Sequence, residues 1–290
     1  MSNRNEKILI LGSTGFLGSI IDTFLKKQNY NVFSHSFTNT KYLNADLEKV
    51  SETQELIKKI IPDVILNMTG LTDVEKCEKN PQKSYLSNVK IVENICNSIP
   101  LIKKDCYLVH ISTDHVYDGV GPHTEKNINL KNYYAFSKYA SELVALKGNS
   151  IVLRTNFFGK SFKNRGLTDW LYYSLRNKSK IKVFNDVLFS PLSTNTLVET
   201  LNTIINLKPR GLYNLGSRDG MSKSEFAFSF ANLLNLDTSH VEEASIDEVS
   251  IIKTIRPKDM RMDISKIEQI LKVKLPLLNN EIKIIVEQYK

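Results

Sequence analysis

The chain has 290 residues, of which 41% are hydrophobic and 24% charged, and its formal net charge is +8. Apolar residues at ordinary frequency along the whole chain exclude a disordered protein, and no stretch approaches the roughly 20 apolar residues that cross a bilayer. Three cysteines cannot form a disulfide framework, which favours a cytoplasmic location. The surplus lysines are spread over the chain instead of forming one basic stripe, so we predict neither a nucleic-acid nor a membrane partner.

Strands and helices alternate through the first half of the chain. Short apolar runs predict strands over 8–11, 30–34, 64–67, 107–112 and 151–154. Apolar residues at helical spacing predict helices over 17–25, over 56–61, over 85–96 and from Tyr134 onward. This order predicts an α/β fold with a doubly wound parallel sheet of the Rossmann type.

The second half is less regular. Helices are predicted over 169–177, 195–207 and 222–235, a short strand over 212–215, and a helix at the C-terminus. We expect a dinucleotide-binding domain over 1–156 that carries the catalytic residues. A smaller α/β substrate-binding lobe is expected over 157–290, with segments near 194–216 returning to the sheet.

A glycine-rich turn follows the first strand and opens the first helix. Gly12 permits the tight turn, Gly15 lets the backbone approach a pyrophosphate, and Gly18 lets the helix pack closely. The N-terminus of the helix attracts the phosphate charge. The turn, with its strand before and helix after, predicts a dinucleotide site.

The end of the second strand bears on the choice of dinucleotide. An NAD enzyme usually offers a carboxylate there to the adenosine ribose, whereas this chain has Ser34, His35 and Ser36, and Asp46 is better placed near the adenine. Without a carboxylate to repel it, a 2′-phosphate could accept hydrogen bonds from the three side chains. NADP(H) is therefore preferred, NAD(H) stays open, and polar residues at a solvated strand end are the alternative explanation.

Tyr134 is followed four residues later by Lys138, which places both side chains on one helix face. The ammonium stabilises the phenolate, so the phenol can exchange a proton with a substrate oxygen near neutral pH. Thr113 leaves the carboxyl end of the preceding strand, where ligands bind in parallel sheets. The three side chains predict a site that orients a substrate carbonyl between the hydroxyls of Thr113 and Tyr134.

Together, this turn and these three residues resemble the extended short-chain dehydrogenase/reductases, and within them the dTDP-4-dehydrorhamnose reductase branch. Further motifs in the order of that branch occur at 64–67, 72–78, 112–119, 152–155, 189–193, 211–216 and 256–257.

The resemblance implies reduction of a 4-keto-6-deoxy sugar carried on a nucleoside diphosphate, in deoxysugar and surface polysaccharide biosynthesis. Tyr134 would protonate the C4 oxygen, Thr113 would polarise it, and Lys138 would tune Tyr134 and hold the cofactor ribose. His115 stands where the family commonly has tyrosine, which is expected to alter the pocket wall or the substrate. Partners other than the nucleotide sugar are not predicted, although a homodimer stays open.

The predicted contacts fall into two sets. Cofactor contacts are Gly12, Ser13, Thr14, Gly15, Phe16, Leu17, Gly18, Ser34, His35, Ser36, Asp46, Leu47, Met68, Thr69, Gly70, Thr72, Asn88, Tyr134 and Lys138. Substrate contacts are Asp114, His115, Val116, Arg154, Asn156 and Arg256. Arg154 could instead cap the sheet, and Asn88 could instead be a buried structural residue. No group of side chains has metal-site spacing, so no metal is predicted.

Two other functions use the same residues. The first is an NADP-binding regulatory subunit without turnover of its own, and the second is a nucleotide-sugar epimerase. The epimerase predicts tightly retained NAD and no net consumption of cofactor.

Overall fold

The computed structural model describes residues 5–164, 166–250 and 252–290, so Met1–Arg4, Arg165 and Ile251 of the two predicted domains lie outside the described residues. Within the described part of the chain, no helix is long and apolar enough to cross a membrane.

Strands and helices alternate up to the fifth strand. The elements are β1 (Lys7–Leu11), α1 (Phe16–Lys27), β2 (Asn31–His35), α2 (Val50–Ile60), β3 (Val64–Asn67), α3 (Val74–Lys79), α4 (Pro81–Tyr85), α5 (Ile91–Ser98), β4 (Tyr107–Thr113), α6 (Tyr133–Ala145) and β5 (Ser150–Thr155).

Short strands and longer helices make up the rest of the chain. They are β6 (Phe157–Phe158), α7 (Leu167–Arg176), β7 (Ile181–Phe184), β8 (Leu188–Phe189), β9 (Leu192–Ser193), α8 (Thr194–Leu207), β10 (Gly211–Leu215), β11 (Met221–Ser222), α9 (Lys223–Leu233), β12 (Val241–Ala244), α10 (Ser265–Leu271) and α11 (Leu278–Val286).

Six strands form one sheet in the order β10-β5-β4-β3-β1-β2. The pairs β1–β2, β1–β3 and β3–β4 are parallel, and every residue of β3 is buried. Continuous apolar strands of this kind form when helices cover both faces of a sheet. The predicted α/β fold with a doubly wound parallel sheet is confirmed.

The strand order reverses beside β1. The chain runs from β1 to β2 on one side and then crosses to β3 on the other. Ligands of open α/β sheets bind at the carboxyl ends of the strands at such a reversal. This edge carries the glycine turn after β1 and the segment from Met68 onward after β3.

The chain divides into two compact units. The first contains residues up to Thr113, Asn132–Arg154 and Thr200–Tyr213, and the second contains Asp114–Lys131, Thr155–Glu199 and Asn214–Lys290. Segment 114–131 thus belongs to the second unit, which differs from the boundary expected at 156. The second unit has its own core, in which Phe158 meets Phe226 edge to face with ring centres 4.8 Å apart.

The predicted helix over 85–96 corresponds to the last part of a series of three helices, α3, α4 and α5. Asp73 caps α3, and Asn80 caps α4 by accepting from the backbone N of Lys83 at 2.9 Å. A π-helical turn, Leu86–Lys90, joins α4 to α5. Asn80 followed by proline is a helix-start signal, and the apolar spacing alone did not reveal it.

Candidate active site

The turn between β1 and α1 is held against the end of β2. Ser13 donates from its backbone N and its Oγ to the carbonyl of His35, at 2.9 and 2.8 Å. Gly12 has a φ of +81°, which glycine adopts without strain. A Cβ at Gly18 would lie 2.2 Å from the Gly12 carbonyl oxygen. Gly15, the N-cap of α1, has no side chain with which to cap the helix, so the first-turn N–H groups suit phosphate oxygens.

A cavity of about 450 Å³ lies beside this turn, within the first unit. Its volume is in the range of pockets that hold small ligands. The predicted cofactor contacts that line it are Gly12, Thr14, Gly15, His35, Asp46, Leu47, Met68, Thr69 and Gly70. Lining residues that were not predicted include Phe37, Thr38, Glu48, Lys83 and Ser87.

The other predicted cofactor contacts lie outside the lining of this cavity. Leu17 and Gly18 are buried beneath the turn, and Thr72 is exposed in the loop before α3. The remaining ones are Ser13, Phe16, Ser34, Ser36, Asn88, Tyr134 and Lys138.

The side chains at the end of β2 are bonded within the protein. The Oγ of Ser34 donates to a carboxylate oxygen of Asp22 and accepts from the Lys26 ammonium at 2.9 Å. Ser36 and Thr14 join their hydroxyls at 3.0 Å. The donors predicted to meet a 2′-phosphate are therefore engaged elsewhere, and the cation at this strand end is Lys26.

His35 lines the cavity and is almost completely buried. Its Nε2 bonds the Ala45 carbonyl at 2.9 Å, so this nitrogen carries the proton. Burial lowers the pKa of His35, against a smaller opposite effect of that hydrogen bond. The Nδ1 is buried and has no partner among the described residues. An unsatisfied buried acceptor in a cavity wall fits a ligand that brings a hydroxyl or amino group. With the glycine turn, it makes the cavity fit a dinucleotide.

Helix α6 carries Tyr134 and Lys138. Asn132 starts the helix by accepting from the backbone N of Ala135 at 2.9 Å. Tyr134 is buried against Val74 and Cys77. The Lys138 ammonium donates at 2.7 Å to the carbonyl of Ile111, two residues before Thr113 in β4.

The Lys138 ammonium is enclosed, with 5% of the residue exposed. Burial lowers the pKa of Lys138 to about 8, and the Glu142 carboxylate acts in the opposite direction. A lysine with such a pKa is well suited to take part in proton transfer near neutral pH. Thr113, the last residue of β4, is also buried.

The side chain of Asn88 links Leu71, in the cavity wall, to α6 by hydrogen bonds. Its Oδ1 accepts from the backbone N of Leu71 at 2.7 Å, and its Nδ2 donates to the Leu71 carbonyl and to Ser137 Oγ at 3.1 and 2.9 Å. The side chain is buried, and these bonds occupy its amide group. The packing therefore favours the structural alternative for Asn88 over direct contact with the cofactor.

Arg154 is enclosed in the first unit, with 1% of its side chain exposed. Its Nε lies 3.0 and 3.1 Å from the two carboxylate oxygens of Glu142, and its Nη2 lies 2.6 Å from one of them. A guanidinium bound in this way faces protein and not solvent. The predicted substrate contact at Arg154 is corrected to a structural ion pair.

Five predicted substrate contacts lie in the second unit. Asp114 accepts from Asn156 Nδ2 at 2.8 Å, and Arg256 is half-buried. Burial lowers the pKa of His115 to about 3, and the cations of Lys223 and Arg256 act in the same direction. His115 is thus a neutral side chain at physiological pH.

Val116, the fifth, is fully buried, so its side chain contributes to packing and not to a substrate surface.

Lys223 is a further member of this group that the sequence did not predict. Its ammonium lies 3.9 Å from the centre of the Phe189 ring. Burial lowers the pKa of Lys223 to about 8, opposed by Asp114. A single lysine at the start of α9 belongs to no motif, so no sequence signal marked it.

The three cysteines are all thiols: Cys77, which packs against Tyr134, and Cys106 are buried, and Cys96 is half-buried. None of the three is in a disulfide, and burial raises the pKa of Cys96 to about 11 and that of Cys106 to about 12. Such thiols are poor nucleophiles. Over the described residues, no cluster of three or more His, Cys, Asp or Glu side chains could hold a metal ion.

Comparison with known proteins identifies relatives along nearly the whole chain. A probable low-salt glycan biosynthesis reductase, Agl14 of Haloferax volcanii, is 22% identical over 94% of this chain and 95% of its own length. Methionine adenosyltransferase 2 subunit beta of Rattus norvegicus is 26% identical over 91% of this chain and 82% of its own. The crystal structure of dTDP-4-dehydrorhamnose reductase from Bacillus anthracis, in complex with NADP, superposes with a TM-score of 0.89 at 23% identity, covering 98% of this chain and 99% of that one.

The family model described as the RmlD substrate binding domain matches residues 6–290. The match spans the glycine turn, β4 and α6 as well as the second unit, which agrees with the resemblance drawn from the sequence. The predicted family is confirmed: the chain belongs to the RmlD substrate-binding domain family.

Proposed function

We propose that this protein is an NADP(H)-dependent reductase that reduces the 4-keto group of a nucleoside-diphosphate 4-keto-6-deoxy sugar, in deoxysugar and surface polysaccharide biosynthesis. The observation that carries the proposal is the 2.7 Å bond from Lys138 to the Ile111 carbonyl. It fixes the ammonium of the Tyr-x-x-x-Lys pair at the strand end that carries Thr113, in the same unit as the dinucleotide cavity.

The relatives support the same function. Agl14 is named as a glycan biosynthesis reductase, and the Bacillus anthracis structure is a dTDP-4-dehydrorhamnose reductase with NADP. NADP(H) is accordingly the proposed cofactor, with NAD(H) as the alternative.

In the proposed mechanism, the protein residues polarise the carbonyl and move the proton. The glycine turn after β1 would hold NADPH, which would supply the hydride for the sugar C4. Thr113 donates a hydrogen bond to the carbonyl oxygen, and Tyr134 donates its phenolic proton to the same oxygen as negative charge develops. Lys138, held at the Ile111 carbonyl, stabilises the phenolate left on Tyr134. Neither step needs a metal or a cysteine.

We propose that the second unit binds the sugar nucleotide. The half-buried side chains of His115 and Asn156 offer polar groups, Asn156 donates to the buried Asp114 at 2.8 Å, and Arg256 and Lys223 add positive charge. Positive charge suits a diphosphate.

The three free cysteines are in keeping with a cytoplasmic location.

The test is turnover with NADPH and a dTDP-4-keto-6-deoxyhexose, followed by nicotinamide absorbance. We expect Tyr134→Phe to lower kcat by about 10²- to 10⁴-fold, the usual contribution of a general acid, and to leave the Kd for NADPH within about twofold. Tyr139→Phe, on the same helix, is the matched control and should retain full activity. Wild-type rates in Tyr134→Phe would contradict the proposed mechanism.

A regulatory subunit is the second candidate, because the chain resembles methionine adenosyltransferase 2 subunit beta over most of its length. This candidate predicts tight NADP binding without turnover of any 4-keto sugar in a panel. An epimerase would instead retain NAD through purification and consume no cofactor. Measuring NADPH consumption and sugar product in the same reaction separates the three.

A further inference from the structure

Arg154 and Glu142 form an ion pair that is almost completely buried, with 1% of each side chain exposed. Removing two charges from water costs several kcal/mol for each ion, and an apolar pair of similar volume is often as stable. Burial of this pair is therefore weak evidence for a role in stability. Its position in the fold suggests another role.

Glu142 lies at the junction of three elements that build the candidate site. It follows Lys138 by four residues on α6, so the two side chains share a helix face. Its Oε1 accepts from the Oγ of Ser112, the residue before Thr113 in β4, and Arg154 reaches it from β5. One carboxylate is thus fixed between two donors, on the face of α6 that also carries Lys138.

The charge of Glu142 acts on Lys138 against burial. Burial lowers the pKa of Lys138 to about 8, and the Glu142 carboxylate is the group that raises it. His110, on β4, is neutral, because burial lowers its pKa well below the usual value. Tyr134 is the other titratable group on this face of α6.

The remaining charged groups near α6 are paired or bound elsewhere. Glu78 of α3 accepts from the backbone N of Tyr133 at 2.8 Å. Lys90 pairs with Glu93 at 3.1 Å, and Lys83 pairs with Glu48 at 2.6 Å. Within the described residues, Glu142 is the carboxylate that acts on Lys138.

We propose that Glu142 is a positioning residue for the reaction: anchored by Arg154 and Ser112, its carboxylate keeps the buried ammonium of Lys138 protonated at physiological pH. The contact with Arg154 prevents the carboxylate from turning onto Lys138 and forming a direct ion pair. Lys138 therefore keeps its bond to the Ile111 carbonyl and stays available to Tyr134. This proposal rests on the proposed reductase function for its kinetic consequence but not for its effect on Lys138.

The test compares two variants in the full chain. Glu142→Gln removes the charge and keeps an oxygen for Ser112, but it removes the carboxylate that pairs with Arg154 and could unfold the protein. The double variant Glu142→Met with Arg154→Met removes both charges and keeps the core apolar. Glu93→Gln, which removes a carboxylate from the neighbouring helix α5, is the matched control.

The first readout is the titration of Lys138 itself, followed by NMR of ¹³Cε-labelled lysine and assigned with Lys138→Arg. We expect its midpoint to fall by about one pH unit in Glu142→Gln, since a carboxylate on the same helix face in a poorly solvated site shifts a neighbouring pKa by that much, and to fall by less in the double variant, which also removes the Arg154 cation. Glu93→Gln should leave the midpoint unchanged. An unchanged midpoint in every folded variant lacking Glu142 would overturn the proposal.

The second readout is the pH profile of kcat/KM. The alkaline limb should move to lower pH with the NMR midpoint, so for a shift of one pH unit kcat/KM at pH 8 should fall about fivefold while the Kd for NADPH stays within about twofold. If the wild-type protein turns over no 4-keto sugar, the proposed function fails, and the NMR titration still decides the role of Glu142. A profile that stays in place while the NMR midpoint moves would contradict the kinetic part.

Discussion

Gly18→Ala tests whether the close packing of the first turn of α1 against Gly12 forms the phosphate-binding part of the cofactor site. The added Cβ would lie 2.2 Å from the carbonyl oxygen of Gly12 and 2.9 Å from its carbon, whereas real Cβ contacts essentially never fall below 3.0 Å. The oxygen contact must therefore open from 2.2 Å to at least 3.0 Å. Both atoms that resist belong to backbone, so the helix or the turn has to move.

The movement has two costs. Overpacking of this kind usually lowers the free energy of unfolding by about 1–3 kcal/mol. It also displaces the first-turn N–H groups of α1 from their phosphate acceptor, and each hydrogen bond to a charged group contributes about 1.5–3 kcal/mol. Loss of one such bond should raise the Kd for NADPH at least about tenfold, since about 1.4 kcal/mol corresponds to a factor of ten.

Calorimetric titration with NADPH and urea unfolding measure the two costs separately. Gly148→Ala is the matched control, because the nearest atom to its Cβ, the Ala145 carbonyl oxygen, is 4.0 Å away. Gly15→Ala should be intermediate, with its Cβ 3.2 Å from the Gly12 oxygen. Wild-type affinity in a Gly18→Ala protein of wild-type stability would refute the assignment of this turn to the cofactor.

Two further predictions concern buried lysines. Burial lowers the pKa of Lys138 from 10.5 to about 8, so between these values the unfolded chain binds more protons and stability should rise with pH. Lys138→Met should reduce this rise to the part that Lys223 contributes, and it should be at least as stable as wild type in urea at pH 7; a variant markedly less stable there would contradict the assigned burial cost. Lys223→Met should raise the KM for the nucleotide sugar at least about tenfold and leave the Kd for NADPH unchanged, whereas Lys182→Met, at an exposed position, should alter neither. An unchanged KM in Lys223→Met would show that this ammonium does not contact the substrate.

Periodicity was sufficient to predict the sheet of the first unit, because its strands are short apolar runs separated by amphipathic helices. β1 and β3 agree with the predicted runs within one residue. The two-residue strands of the second unit, such as β6 and β8, are too short to show any alternation. They form because loops meet in the folded chain, and no local pattern encodes that.

The site was predictable where local chemistry defines it and not where tertiary packing does. Gly12, Gly15 and the Tyr134–Lys138 pair follow from spacing, since a turn or a helix fixes their geometry. Arg154 was predicted as a ligand contact because the sequence cannot distinguish an arginine at the end of a strand that faces solvent from one that faces a buried carboxylate. Glu142 carried a usable signal, its position one turn after Lys138, but the need for a buried carboxylate only becomes apparent once Lys138 is seen to be enclosed.

The three charges around α6 show how the fold accommodates the predicted chemistry. Lys138, Glu142 and Arg154 are each at most 5% exposed, and burial of ions opposes folding. Hydrogen bonds to Ile111 and Ser112 and the contact with Arg154 reduce that cost, while the apolar residues of β1 and β3 supply the compensating burial. Removing one charge of the Arg154–Glu142 pair therefore destabilises its partner more than it relieves the core, whereas removing the Lys138 ammonium, whose pKa burial lowers despite the Glu142 carboxylate, should relieve it. The difference in the free energy of unfolding between these two kinds of variant distinguishes a charge that the reaction requires from charges that stabilise each other.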